Sequence, residues 1–190
     1  MLKHAFKEWA VICKALAEGR QAVILRKGGV SERTGAFHVA HTRFWLFPTF
    51  MHQQETGIRP EAMPLLAQVQ KEHPPDGVVR LSHYAEVTGV YHVHELVPAL
   101  MLAHLHFWSE ETVRKRFAYQ TPGLFVLPVR VYLAPEPHDV VNTPVYGGCR
   151  SWVELERELP IQGSVPVLTD EAMHDLHKSL DLLLNPTAFA

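Results

Sequence analysis

The stretch His41 to Gln53, HTRFWLFPTFMHQ, decides how this chain is read. Its apolar run up to Pro48 predicts a strand. Side chains alternate across a strand, so Phe44 and Leu46 share one face and Arg43, Trp45 and Phe47 the other. The first face is plain core. The second sets a guanidinium beside an indole and a phenyl ring, a combination that stacks a base and holds its phosphate. A competing reading lays Arg43 across Trp45 at the rim of a core. His52 and Gln53 fall on a turn at the strand's end. There an imidazole and an amide either read a base edge or orient a water, or else satisfy backbone groups of the turn.

Outward from this strand, the chain breaks into short elements. Residues 3–18 predict a helix, because Phe6, Trp9, Cys13 and Leu16 recur at helical spacing; Gly19 stops it. Trp9, Val11 and Ile12 also suit strands, which keeps a β-hairpin open. QAVILRK is a strand that ends at Gly28-Gly29, and Phe37 to Phe47 supplies one or two more. PEAMPLLAQVQKE, residues 60–72, predicts a helix. VVRLSHYAEVTGVYHVHEL alternates and breaks near Thr88-Gly89, which predicts two strands or one bulged strand. Residues 97–106 predict a helix, and Ser109 caps another through about Phe117, with Glu110 and Glu111 at its positive end. Leu124 to Leu133 predicts a strand with an edge or bulge at Pro128. SWVELE predicts a helix with a capping box from Ser151 to Glu154. A last helix spans about 170–185 and buries Met173, Leu176, Leu180 and Leu183. Strands without regular βαβ alternation predict an α+β fold: a small, mostly antiparallel β-barrel or curved sheet with helices packed outside.

The 190 residues suit one domain, with the last helix packing on the barrel. The charge is uneven: residues 1–60 carry +5 and residues 61–190 carry −7, for a net −2. Indiscriminate nucleic-acid binding is thereby disfavoured, while a basic face stays open. Two cysteines make no disulfide framework, no apolar run reaches membrane-spanning length and the N-terminal stretch does not read as a signal peptide, so the expected location is cytoplasmic with no membrane partner.

Glu8-Trp9, LRKGGV (25–30), FPTFMHQ (47–53), RVY (130–132) and YGGCRSW (146–152) together resemble the bacterial family called domain of unknown function 1802, over nearly the whole chain. That resemblance implies membership and no activity. A second resemblance is to the opening of ASCH and EVE domains, which are PUA-like: a helix, then Gly19, Arg20 and Gln21, then a strand ending in Arg26. VTGVYHV and LPVRVYLAPEP look like later strands of that barrel. It implies a PUA-like barrel and binding of RNA or modified nucleobases. The chain departs from the ASCH signature by placing Leu25 where an acidic residue is expected.

LRKGG ends a strand with two cations and two residues free to take positive φ. Converging backbone N–H groups at Gly28 and Gly29, with charge from Arg26 or Lys27, make an anion-binding nest; the alternative is a turn with two solvated cations. Thirteen histidines raise the question of metal. His38 and His41 fall on opposite faces of a regular strand, His92 and His94 share a face near Glu86, and no HExxH arrangement occurs, so no metal or cofactor is expected. Cys149 follows two glycines near Arg150, a setting for either a reactive thiolate or a small residue in a tight turn. The leading expectation is a protein that binds a nucleic acid (RNA or single-stranded DNA) or a nucleotide-like anion. Arg26, Lys27, Gly28 and Gly29 hold phosphate in that reading. Arg43 and Trp45 stack, His52 and Gln53 read or orient, and Arg130, Tyr132 and Arg150 are second-line candidates. The alternatives are a metal-assisted phosphodiesterase or hydrolase using histidines with Glu8 or Glu32, and a protein-interaction adaptor.

Overall fold

The fold was obtained as a computed structural model that describes residues 1–27, 41–50, 55–148 and 151–184. It is a mixed α+β structure built on a large curved sheet. The strands are β1 (Leu2–Trp9), β2 (Val23–Arg26), β3 (Arg43–Thr49), β4 (Val78–Val87), β5 (Tyr91–Val93), β6 (Leu124–Val141), β7 (Trp152–Leu159) and β8 (Val165–Pro166). Their order is β2-β6-β4-β3-β1-β7, with β5 and β8 also paired to β6. Among the described residues no ladder joins β2 to β7, so the sheet stays open. Every ladder is antiparallel except β1 with β3. The helices are α1 (Ala10–Ala17), α2 (Met63–Lys71), α3 (Leu96–Met101), α4 (Glu110–Ala118) and α5 (Asp170–Leu184).

The opening stretch is core on both faces. Phe44 and Leu46 pack with Phe6, Ala85, Val129 and Val131 in a first core, closed by α1, α2 and α4. Trp45 and Phe47 pack with Ala5, Leu81, Tyr84 and Leu155 in a second. A strand buried on both faces reads as a continuous apolar run, and the same double burial suits its parallel pairing with β1.

The helix expected over 3–18 is half strand. β1 takes residues 2–9 because it fills the slot between β3 and β7, and tertiary pairing overrides a weak helical stripe. α1 then starts at Ala10 and buries six of its eight residues. Gly19, at φ +66°, ends that segment as expected. The helix expected from Ser151 is the strand β7. Val153 and Leu155, two residues apart, face the second core, which is strand period. The 10-residue β4 and the short β5 realise the expected two-strand segment. Ser109 does cap α4, accepting from the Thr112 amide at 3.2 Å. α5 follows the expected span, with Met173 and Leu180 buried. Its Asp181 accepts a hydrogen bond from the Tyr91 hydroxyl at 2.8 Å.

Candidate functional site

The described residues of the expected site do not form one face. Arg26 closes β2 on the first-core side, with its guanidinium 4.7 Å from the Phe6 ring. Arg43 alternates with Phe44 and so lies on the opposite side of the sheet, paired to Glu86 at 3.1 Å. Arg130 and Tyr132 lie on that opposite side too. Arg130 is held by Asp170, and Tyr132 stacks on Tyr84 with centroids 4.8 Å apart. Trp45 cannot stack a base, because its side chain is 0% exposed and its indole N–H donates to the Leu2 carbonyl at 3.2 Å. Gly28, Gly29, His52, Gln53, Cys149 and Arg150 lie outside the described residues, as do His38 and Glu32.

Lys27 has a structural task. Its ammonium donates to the carbonyls of Phe117 at 2.8 Å, Gly123 at 2.9 Å and also Thr121. These oxygens lie at and just beyond the C-terminus of α4, the negative end of the helix dipole. With its donors so committed, Lys27 is not the free phosphate ligand that the LRKGG motif suggested. Burial holds its pKa below the usual lysine value.

What gathers around Arg26 instead is a polar and aromatic cluster. Arg26 Nη2 donates to Ser151 Oγ at 2.5 Å, which ties the end of β2 to the start of β7. Glu8, the last buried side chain of β1 and only 5% exposed, lies 4.0 Å from Arg116 of α4. Its carboxylate also accepts from the Trp9 amide at 2.8 Å. Arg116 lies over the Trp108 ring at 4.6 Å and near the Trp9 ring at 5.6 Å, and donates to the Leu25 carbonyl at 3.3 Å. Burial lowers the pKa of both guanidinium groups; Glu8 opposes the shift in each, and Arg116 adds to it in Arg26. Two cations therefore crowd one carboxylate in a poorly solvated place.

Phe6 connects this cluster to a row of rings. Trp152 meets Phe6 edge-on at 5.0 Å, His41 meets Trp152 edge-on at 5.2 Å, and His4 stacks on His41 at 3.5 Å. Trp152, His41 and His4 are all half-buried. Burial first, then the His4 ring, holds the His41 imidazole below its usual pKa. Sequence reasoning placed Glu8 among possible acids but missed Arg116. One signal was available. Arg116 sits beside Val113 and Phe117 on the apolar stripe of an otherwise charged helix, where an arginine needs a partner.

His92 and His94 lie 3.8 Å apart, ring to ring, but among the described residues no three His, Cys, Asp or Glu side chains are grouped to hold a metal ion. No helix among the described residues is long and apolar enough to cross a membrane.

A family model described as "Domain of unknown function (DUF1802)" matches residues 5–179, and the chain belongs to that family. No curated protein matches it. Two solved structures of the ASCH protein from Zymomonas mobilis are similar to it. A single-site variant aligns at 14% identity over 93% of this chain and 94% of its own, with a TM-score of 0.44. The other aligns at 16% identity over 92% and 93%, with a TM-score of 0.42.

Proposed function

We propose that the protein binds a phosphate-bearing ligand, a single-stranded nucleic acid or nucleotide, on the first-core side of its sheet at the Glu8–Arg26–Arg116 cluster. One observation carries this reading: two half-buried arginines share one buried carboxylate, leaving one positive charge unmatched among the described groups of the cluster. A phosphate matches that charge and the planar geometry of guanidinium donors. Glu8 keeps the two cations together when no ligand is bound. Trp152 and the His4–His41 pair supply ring faces for a base, the role that the buried Trp45 cannot fill.

The test is fluorescence polarisation with labelled single-stranded RNA and DNA at low and moderate salt. The expected result is binding that weakens with salt, and weaker binding with a salt slope shallower by about 1 in Arg26→Gln and in Arg116→Gln. Circular dichroism checks that both variants fold. No binding at low salt, or binding that both folded variants retain unchanged, overturns the proposal.

A further inference from the structure

Strand β4 breaks its alternation opposite an irregular stretch of β6 and so puts two consecutive polar side chains on one side. Leu81 pairs with His138 and His83 with Leu133, so the register slips between Leu81 and His83. Leu81 and Tyr84 both pack in the second core. Ser82 and His83, the two residues between them, instead line one pocket on the other side of the strand. Regular alternation would send one of the two into the second core; the irregular pairing there, where residues 134–137 of β6 lie opposite Ser82, avoids this and re-aims the side chain.

The pocket lies among α1, α2, β3 and β4 and has a volume of about 170 Å³. Most of its lining is apolar and includes Ala10, Leu46 and Val69 together with Pro48, Phe50 and Pro74. Ser82 Oγ and His83 Nδ1 are 2.9 Å apart and hydrogen-bonded, the one hydrogen bond of that ring among the described residues. The bond engages Nδ1 and leaves Nε2 without a hydrogen bond among the described residues. Burial first, then Lys14, holds the imidazole pKa down at about 4, so the ring is uncharged at neutral pH. The charges at the rim are already matched. Lys14 pairs with Glu72 at 3.0 Å, and Arg80 pairs with Asp139 at 2.8 Å.

We infer that this pocket is a binding site for a small uncharged molecule built on a single aromatic ring with one hydrogen-bonding group. The ring lies between the proline and phenylalanine walls, and its polar group meets His83 Nε2. The size fits, since a cavity of about 150 Å³ in another protein holds benzene. The matched rim offers no net charge to an ion, and the apolar walls favour a flat, neutral body. None of the lining residues belongs to the Glu8–Arg26–Arg116 cluster, so the inference stands or falls independently of the nucleic-acid reading.

The probes are phenol, which has the ring and the polar group, and toluene, which has only the ring. Each is titrated into the full chain carrying ¹⁵N-labelled histidine, and the ring nitrogens of His83 are followed by NMR. Phenol is expected to shift His83 Nε2 saturably at millimolar concentration. Toluene is expected to bind about 2- to 10-fold more weakly, the range of one net hydrogen bond. Val69→Phe fills the space and abolishes binding of both probes. His83→Phe, with binding followed by ligand-observed NMR, removes the preference for phenol. A His83 signal that neither probe moves up to its solubility limit overturns the site. So does phenol binding that survives Val69→Phe unchanged, or a phenol preference that survives His83→Phe. If circular dichroism shows His83→Phe unfolded, the wild-type shift and its loss in Val69→Phe decide.

Discussion

The Lys27 ammonium donates to the Phe117 carbonyl at 2.8 Å and so ties the end of β2 to the last turn of α4. The bond makes Lys27 part of the scaffold that places Arg26 and Arg116 beside each other. Lys27→Met removes the charge at the end of the helix dipole and three charge-assisted donors. A loss of about 1.5–3 kcal/mol in urea unfolding is expected, the range for a hydrogen bond to a charged group. Lys27→Arg, which keeps the charge, is expected to recover part of it.

Gly57 is set against the indole of Trp9. A Cβ built on Gly57 meets ring atoms of Trp9 at 2.6 and 2.8 Å. Gly57→Ala therefore forces the indole away from its place near Arg116. Overpacking of this kind costs about 1–3 kcal/mol, read as a lower unfolding midpoint. The displaced ring is also expected to change tryptophan fluorescence.

His106 is 3% exposed, and among the described residues neither ring nitrogen has a partner with good hydrogen-bond geometry. Burial first, then Arg59, Arg116 and His104, holds its pKa down at about 4, against a smaller opposing pull from the Trp108 backbone. The unfolded chain, with an ordinary imidazole near pH 6.5, binds that proton more readily. Stability is therefore fully present above about pH 6.5 and is lost as pH falls toward 4, by up to about 3 kcal/mol from this residue. His106→Phe is expected to flatten that part of the pH profile. Urea midpoints compared at pH 7 and pH 4.5, for both proteins, give the slope directly.

Trp45 is a core residue, and its truncation tests that assignment. Trp45→Ala is expected to cost about 3–5 kcal/mol by thermal or urea unfolding. Trp152→Ala, at a half-buried position, is expected to cost less stability and more nucleic-acid affinity. The reverse ranking would return the stacking role to Trp45.

The elements that repeat one period clearly were legible in the sequence. α4 announced itself by Ser109 and two acids, and α5 by its apolar stripe. β4 and β6 showed themselves through β-branched alternation. The segments that failed were ambiguous locally. Phe6, Trp9, Cys13 and Leu16 match a helix, but Phe6 belongs to a strand whose partners are residues 43–49 and 151–159. Ser151 and Glu154 imitate a capping box, while Ser151 serves Arg26 and Glu154 serves Lys3. Of the Glu8–Arg26–Arg116 cluster, Arg26 and, more faintly, Glu8 were legible. Its other parts arrive from residues 116 and 151, and no local pattern encodes that meeting. Trp45 and Arg43 misled for a related reason: alternation tells which residues share a face, but not that the sheet is covered on both sides.

The position of β1 between β3 and β7 also bears on how the chain is made. During synthesis β1 leaves the ribosome with both edges bare, and it gains its antiparallel partner only after residues 152–159 have emerged. Until then the unpaired edge of β1 offers its free backbone groups to another chain. Nascent chains stalled before residue 151 should accordingly depend on chaperones, and chains stalled well beyond residue 159 should not.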